Sequence, residues 1–227
     1  VTAAAEQPVY DVDYVEERSR LTTFFRYILV IPHLFVLWIA GLVAYVAVVI
    51  AWFAIVLTGR YPEGLYNYVA GLTRYSAAVS AYMYLLTDAY PPFGFDTTNY
   101  PARLQLPPQP KAEYDRLKTL FRIILLIPPA IIAYAMSIVA GIGSFLAWVL
   151  IVVTGKQNKG LQDFTLLGMS YQVRLLPYYA LLTEDWPPFT NPGGDALLPA
   201  PPAPPAAPEA PGGVPRSGVT GGDPLNG

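Results

Sequence analysis

One block of sequence occurs twice in this chain at a constant offset of 96 residues, with no insertion or deletion between the copies. Phe25-Arg26 returns as Phe121-Arg122, Ile31-Pro32 as Ile127-Pro128, and Ala51-Trp52 as Ala147-Trp148. Thr58-Gly59-Arg60 returns as Thr154-Gly155-Lys156, Leu85-Leu86-Thr87-Asp88 as Leu181-Leu182-Thr183-Glu184, and Pro91-Pro92-Phe93 as Pro187-Pro188-Phe189. A matched block of about 75 residues is too long for a solenoid repeat and marks a duplicated domain-like unit. Whatever one copy folds into, the other must fold into as well.

Each copy opens on a long apolar run. Residues 28–57 and 123–153 carry no charge, and across the chain 54% of residues are hydrophobic and only 13% charged. A soluble domain holds about a quarter charged residues, so the balance, with a mean hydropathy of +0.38, points to a membrane protein. Thirty helical residues would reach about 45 Å, beyond the roughly 30 Å hydrocarbon core. Pro32 and Pro128 disfavour helix just before them. They predict short interfacial helices over 21–31 and 117–127, bent into spans over 34–57 and 130–153. A re-entrant hairpin about Gly41 or Gly141 is the rival, with arms too short to cross. Gly59 and Gly155 are placed to end the spans in the left-handed conformation, each followed by a cation. Pro62 and Asn158 are placed to start the next helices.

Residues 65–86 and 161–182 have helical spacing and are long enough for second spans. The expected fold is therefore an all-α integral membrane protein, a tandem repeat of a two-span unit with about four transmembrane helices. Its segments are a leader (1–17), the repeats (18–93 and 113–189), a Pro-rich linker (94–112), and a Pro/Ala/Gly-rich tail (190–227) expected to be extended. With parallel repeats, the N-terminal leg, linker and tail hold nine Lys and Arg against three on the other side, so the positive-inside rule places both termini in the cytoplasm. The opening residues are acidic and lack the form of a secretory signal.

The strings Ile31-Pro32-His33, Thr58-Gly59-Arg60-Tyr61-Pro62, Arg74-Tyr75 and Asp88-Ala89-Tyr90-Pro91-Pro92-Phe93 resemble the bacterial membrane-protein family known as domain of unknown function 4389. The resemblance covers 10–93 strongly and 113–189 more weakly, where Pro129 replaces His33, Gln157-Asn158 replaces Tyr61-Pro62, and Ser170 replaces Arg74. It implies a membrane fold in a bacterial plasma membrane and no known activity.

A net charge of −2 gives no field for nucleic acid. Zero cysteines and one histidine exclude disulfides, thiolate chemistry and multi-histidine metal sites within the chain, so no cofactor is expected. Arg74 and Arg174 lie four residues apart in repeat register, on a shared helical face. An arginine within a span faces a partner, a cavity or headgroups, so these two, with His33, Arg60 and Lys156, are the candidate lipid or partner contacts. The bland alternatives are an internal pair, snorkelling, or for His33 a hydrogen bond at the interface. Tyr90, Phe93, Trp186 and Phe189 are candidate interfacial anchors. Asp88, Glu184 and Asp185 read as turn and surface carboxylates. The expected role is a non-enzymatic accessory or assembly subunit packing against a larger membrane complex, respiratory or otherwise energy-transducing. The alternative is a lipid-binding protein using its intramembrane arginines.

Overall fold

The computed structural model describes residues 8–107 and 110–187; the expectations for residues 1–7, for Phe189 and for the tail fall outside this range. Two antiparallel strands and seven helices follow in the order β1 (Val9–Val12), α1 (Arg20–Phe24), α2 (Arg26–Thr58), α3 (Glu63–Met83), β2 (Ala102–Gln105), α4 (Arg116–Leu120), α5 (Arg122–Leu125), α6 (Ile127–Thr154) and α7 (Lys159–Tyr179). The protein is mostly helical, but the all-α expectation is corrected by the β1–β2 pair. Tyr10 and Val12 of β1 join Ala102 and Leu104 of β2 in a core with Ala77, Ala78 and Ala81 of α3 and Met169 and Val173 of α7. Backbone buried at that depth must pair its polar groups, and the ladder does so.

The break before each long helix falls elsewhere than expected. α1 stops at Phe25 and α2 then runs unbroken through Pro32 for 33 residues. Pro32 sits on an exposed face while Arg26, Val30 and His33 on either side of it are buried; their packing holds the helix across the missing donor. In the second copy the breaks come at Phe121 and Leu126, and Pro128 and Pro129 occupy the first turn of α6, where no N–H is needed. α2 and the matching stretch 122–154 are the two helices long and apolar enough to cross a membrane among the described residues. α3 and α7, at 21 residues each, are less apolar and largely enclosed by protein.

Each long helix buries one narrow seam. On α2 it runs Arg26, Val30, His33, Leu37, Ala40, Ala44, Ala47, Ala51 and Ile55, the alternating three- and four-residue spacing of antiparallel helix packing. The seam of α6 follows the same register through Pro129, Ala133, Met136, Ala140, Gly143, Ala147 and Ile151. Most of the remaining surface of both helices is apolar and much of it exposed, including Phe35, Trp38, Leu42, Phe53, Ile131, Ile142 and Phe145.

The two copies interlock head to tail. The leg of the first repeat lies on the far end of α6: the Arg18 amide donates to Gly155 O (2.9 Å) and Arg20 Nη2 to Thr154 O (2.9 Å). Reciprocally, the Tyr114 amide donates to Gly59 O (2.8 Å), Arg116 covers Gly59, and Trp52 Nε1 donates to Thr119 O (2.9 Å). Since α2 separates Arg26 from Gly59 by about 50 Å, Gly59 and Gly155 stand at opposite ends of the molecule, and α2 and α6 run antiparallel. In the β1–β2 ladder Val9 faces Gln105, residues that are themselves 96 apart, so a pseudo-two-fold axis passes through that pair.

This arrangement corrects the parallel repeats inferred from charge. Arg18, Arg20, Arg26, Lys156 and Lys159 share one end, and Arg60, Lys111, Arg116, Lys118 and Arg122 the other. With five cations near each end among the described residues, apart from Arg103 in the ladder, the count that favoured cytoplasmic termini loses its contrast.

Candidate functional site

The best-built polar sites are a pair of arginine clasps, one per repeat. Arg26 is 1% exposed; its Nη1 donates to Tyr82 O (2.9 Å) and Thr87 O (2.6 Å), and Nη2 pairs with Asp88 Oδ1. The guanidinium lies over the Tyr82 ring, 4.3 Å from its centroid. Tyr82 O belongs to the last turn of α3, so a cation occupies the negative end of that helix. Arg122, 4% exposed, repeats the arrangement: Nη2 and Nε donate to Tyr178 O (2.8 and 3.1 Å), Nη2 to Thr183 O, with the Tyr178 ring 3.4 Å away. The carboxylates differ. Asp88 joins Arg26 and also accepts the Ser19 amide (2.7 Å), whereas Glu184 accepts Lys111 Nζ (3.1 Å) and the Asp115 amide (2.6 Å). Asp88 and Glu184 are thus tethers for the two legs as well as turn residues.

Within each clasp, between its two carbonyl partners, the chain turns through a leucine in the left-handed conformation, Leu85 (φ 63°) or Leu181 (φ 60°). Glycine would relieve roughly 1–2 kcal/mol of backbone strain there. Leucine is kept because its side chain plugs the opposite repeat: Leu85 packs on Ala147 and Ile151 of α6, and Leu181 on Ala51 and Ile55 of α2. Burying a leucine contributes about 1.5–3 kcal/mol, which outweighs the strain.

A further cluster exists in the first repeat alone. His33 is fully buried, its Nδ1 lies 2.6 Å from the Tyr75 hydroxyl, and its ring stacks on Phe93 (4.1 Å, 10° between planes) with Tyr90 edge-on at 4.7 Å. Nε2 has no hydrogen-bond partner among the described residues. One hydrogen is shared between His33 and Tyr75, and the ring tautomer decides which donates. In the second repeat the corresponding position is Pro129, so the cage has no histidine to enclose.

The other candidate residues are scattered. Arg174 is fully buried, its Nε donating to Ser170 O (3.1 Å) one turn back on α7; Arg74 is half-buried on α3. Arg60 is exposed beyond the C-cap Gly59, and Lys156 is exposed with an ion pair to Glu16 (3.0 Å). Tyr90 donates to Leu29 O (3.2 Å) and Trp186 to the Tyr178 hydroxyl (2.9 Å); both rings, like Phe93, stay partly exposed. Arg26 and Arg122, which fall on the segments expected to form interfacial helices, are inside the protein. The signal for them was the recurrence of Phe-Arg ahead of Leu-Leu-Thr-acid at the same spacing in both copies. No group of metal-ligating side chains forms among the described residues.

Interlocked copies, two long apolar helices and a clasp in each copy define a duplicated helical-hairpin protein with two candidate membrane spans. The sequence model of the family described as domain of unknown function (DUF4389) matches residues 20–94 and again 116–191. The chain belongs to that family, as a tandem duplication. No curated protein and no solved structure matches it.

Proposed function

We propose that the protein is a non-enzymatic integral membrane subunit that packs laterally against a larger membrane assembly and its surrounding lipid. The observation that carries this reading is the exposure of α2 and α6: outside one seam each, they present largely apolar, largely exposed surface over a length that exceeds the bilayer core. Patches beyond a few hundred Å² mark interaction or membrane surfaces. In this reading α2 and α6 cross in opposite directions, α3 and α7 run at membrane depth inside the protein envelope, and the clasps sit near the two headgroup layers. Backbone that is neither helix nor closed barrel is tolerated at membrane depth where protein covers it, as α3 and α7 cover the β1–β2 ladder.

Two measurements test the proposal. The chain has no cysteine, so Arg60→Cys and Lys156→Cys report orientation without background; they are expected to label from opposite sides of sealed vesicles. Labelling from one side would overturn the antiparallel crossing. Mild detergent extraction followed by native electrophoresis should show the protein migrating within a much larger species. Migration as a lone small particle from native membranes would sink the subunit reading and leave lipid binding as its successor.

A further inference from the structure

The first repeat is packed more loosely than the second, and the space left has a definite shape. A cavity of about 360 Å³ lies between Leu37, Gly41 and Val48 of α2, Ser76 of α3 and Tyr179 of α7. A second, of about 330 Å³, continues from Tyr45, Val48 and Tyr179 past Trp52 to Ile123 and Leu126. The two share Tyr45, Val48 and Tyr179 as walls, and their joint lining follows α2 as a groove from Leu37 to Trp52, about 22 Å. That exceeds the roughly 15 Å of hydrocarbon in one leaflet. Its polar lining consists of hydroxyls, the Trp52 indole, which donates to Thr119 O, and the clasped Arg122.

The groove leads toward the Arg122 end. There Lys111 pairs with Glu184, while Arg60, Arg116 and Lys118 make no ion pair among the described residues; at the other end Arg26, Lys156 and Lys159 pair with Asp88, Glu16 and Asp163, and Arg20 makes none. With α2 centred on a 30 Å core, Trp52 falls at the hydrocarbon boundary and the Arg60 backbone about 12 Å beyond it, from where a long side chain can reach back to the headgroup layer.

We propose that this groove holds one acyl chain of an anionic phospholipid whose phosphate lies among Arg60, Arg116 and Lys118. The inference goes beyond the subunit reading but rests on its premise that α2 crosses the bilayer. A chain in the groove covers apolar wall that helix packing leaves open, and cations at the headgroup layer favour anionic over zwitterionic lipid. The second repeat draws its helices together instead: a Cβ on Gly168 would meet Met136 O at 2.5 Å, and one on Gly143 would meet Thr165 Oγ1 at 2.4 Å.

The test uses the full chain reconstituted with equal phosphatidylglycerol and phosphatidylcholine, then analysed by native mass spectrometry. Wild type should retain one phosphatidylglycerol per chain. Gly41→Leu fills the groove, and its Cβ meets nothing within 4 Å; it should lose the bound lipid. Gly141→Leu on α6, equally unobstructed, should keep it. The triple variant Arg60→Gln, Arg116→Gln, Lys118→Gln should keep a chain but lose at least about tenfold in preference for phosphatidylglycerol. Equal retention by wild type and Gly41→Leu, or an unchanged preference in the triple variant, would overturn the proposal. Release of the protein from membranes by alkaline carbonate would instead defeat the membrane-crossing premise, so the two failures are separable.

Discussion

The socket that receives each leg is built on the same backbone at both ends and filled with opposite chemistry. At the Arg122 end, Tyr114 of the leg meets Tyr61 and Tyr66, with Tyr61 5.5 Å from Tyr66 and 6.1 Å from Tyr114. The positions 96 residues away are Arg18, Gln157 and Gln162: Arg18 Nη2 donates to Gln162 Oε1 (3.1 Å) and Leu86 O (3.0 Å). Burial pushes the Arg18 guanidinium pKa down, nearby Asp88 opposes that shift, and Arg26 adds to it. Arg18 Nε and both side-chain amide atoms of Gln157 are buried with no hydrogen-bond partner among the described residues, and each unsatisfied buried polar atom costs about 1–3 kcal/mol. One socket is closed by aromatic area and the other by an incomplete polar network. Identical main-chain bonds survive in both, from Tyr114 and from Arg18 to the glycine carbonyl, so the docking geometry belongs to the backbone and the clasps. Side chains in the sockets are then free to diverge.

If the clasps are what the copies share, removing them should produce the largest losses, and at both ends. Arg26→Met and Arg122→Met are each expected to cost about 3–5 kcal/mol, because each exposes a helix C-terminus and a return loop built around a buried cation. Their carboxylates should separate the repeats. Asp88→Asn removes Arg26's ion pair and should destabilise clearly, while Glu184→Gln leaves Arg122 on its carbonyl partners and should affect mainly the Lys111–Asp115 leg. Thermal unfolding in detergent reads all four. Full tolerance of Arg122→Met would break the equivalence of the two ends.

Helix spacing offers the next contrast. A Cβ at Gly168 would lie 2.5–2.6 Å from Met136 O and Ala140 N, which are backbone atoms unable to swing aside. Gly168→Ala should therefore cost about 1–3 kcal/mol through overpacking. Gly41→Ala meets open space and should be stabilising by about 0.5–1 kcal/mol from helix propensity. Equal responses at the two glycines would mean that the spacing of the helix pairs does not differ.

Much of this scaffold could be read from residues. The duplication, the long apolar helices, Gly59 and Gly155 as left-handed C-caps (φ 74° and 77°) and Asn158 as an N-cap follow local rules. The direction of one repeat against the other did not, because it is set by contacts between Arg18 and Gly155 and between Tyr114 and Gly59, far apart in sequence and invisible to periodicity. The strands were missed for a related reason. Residues 102–105 form a ladder only once β1 is beside them, and ARLQ carries no strong signal alone. The candidate site was half legible: His33 stood out as the lone histidine, but Tyr75 as its partner, and the inward turn of Arg26 and Arg122, depend on helix packing.

The smallest contrast lies in the caps of the two legs. Asp115 accepts the amides of Leu117 (2.9 Å) and Lys118 (3.1 Å), while Ser19 at the matching position accepts only Thr22 N, at 3.4 Å. An N-cap carboxylate with two amides also meets the positive end of the helix. Asp115→Ala should cost about 1 kcal/mol and Ser19→Ala only a few tenths, read as the order in which the legs become exchangeable in hydrogen–deuterium exchange. A variant pair that loosens both legs equally would show that the tethers to Asp88 and Glu184, which bind the Ser19 and Asp115 amides, hold the legs regardless of cap. The reverse order, with the Ser19 leg exchanging first, would show that the unsatisfied polar socket at Arg18 grips less tightly than the tyrosine socket at Tyr114, so that the sockets rather than the caps set how firmly each leg is held.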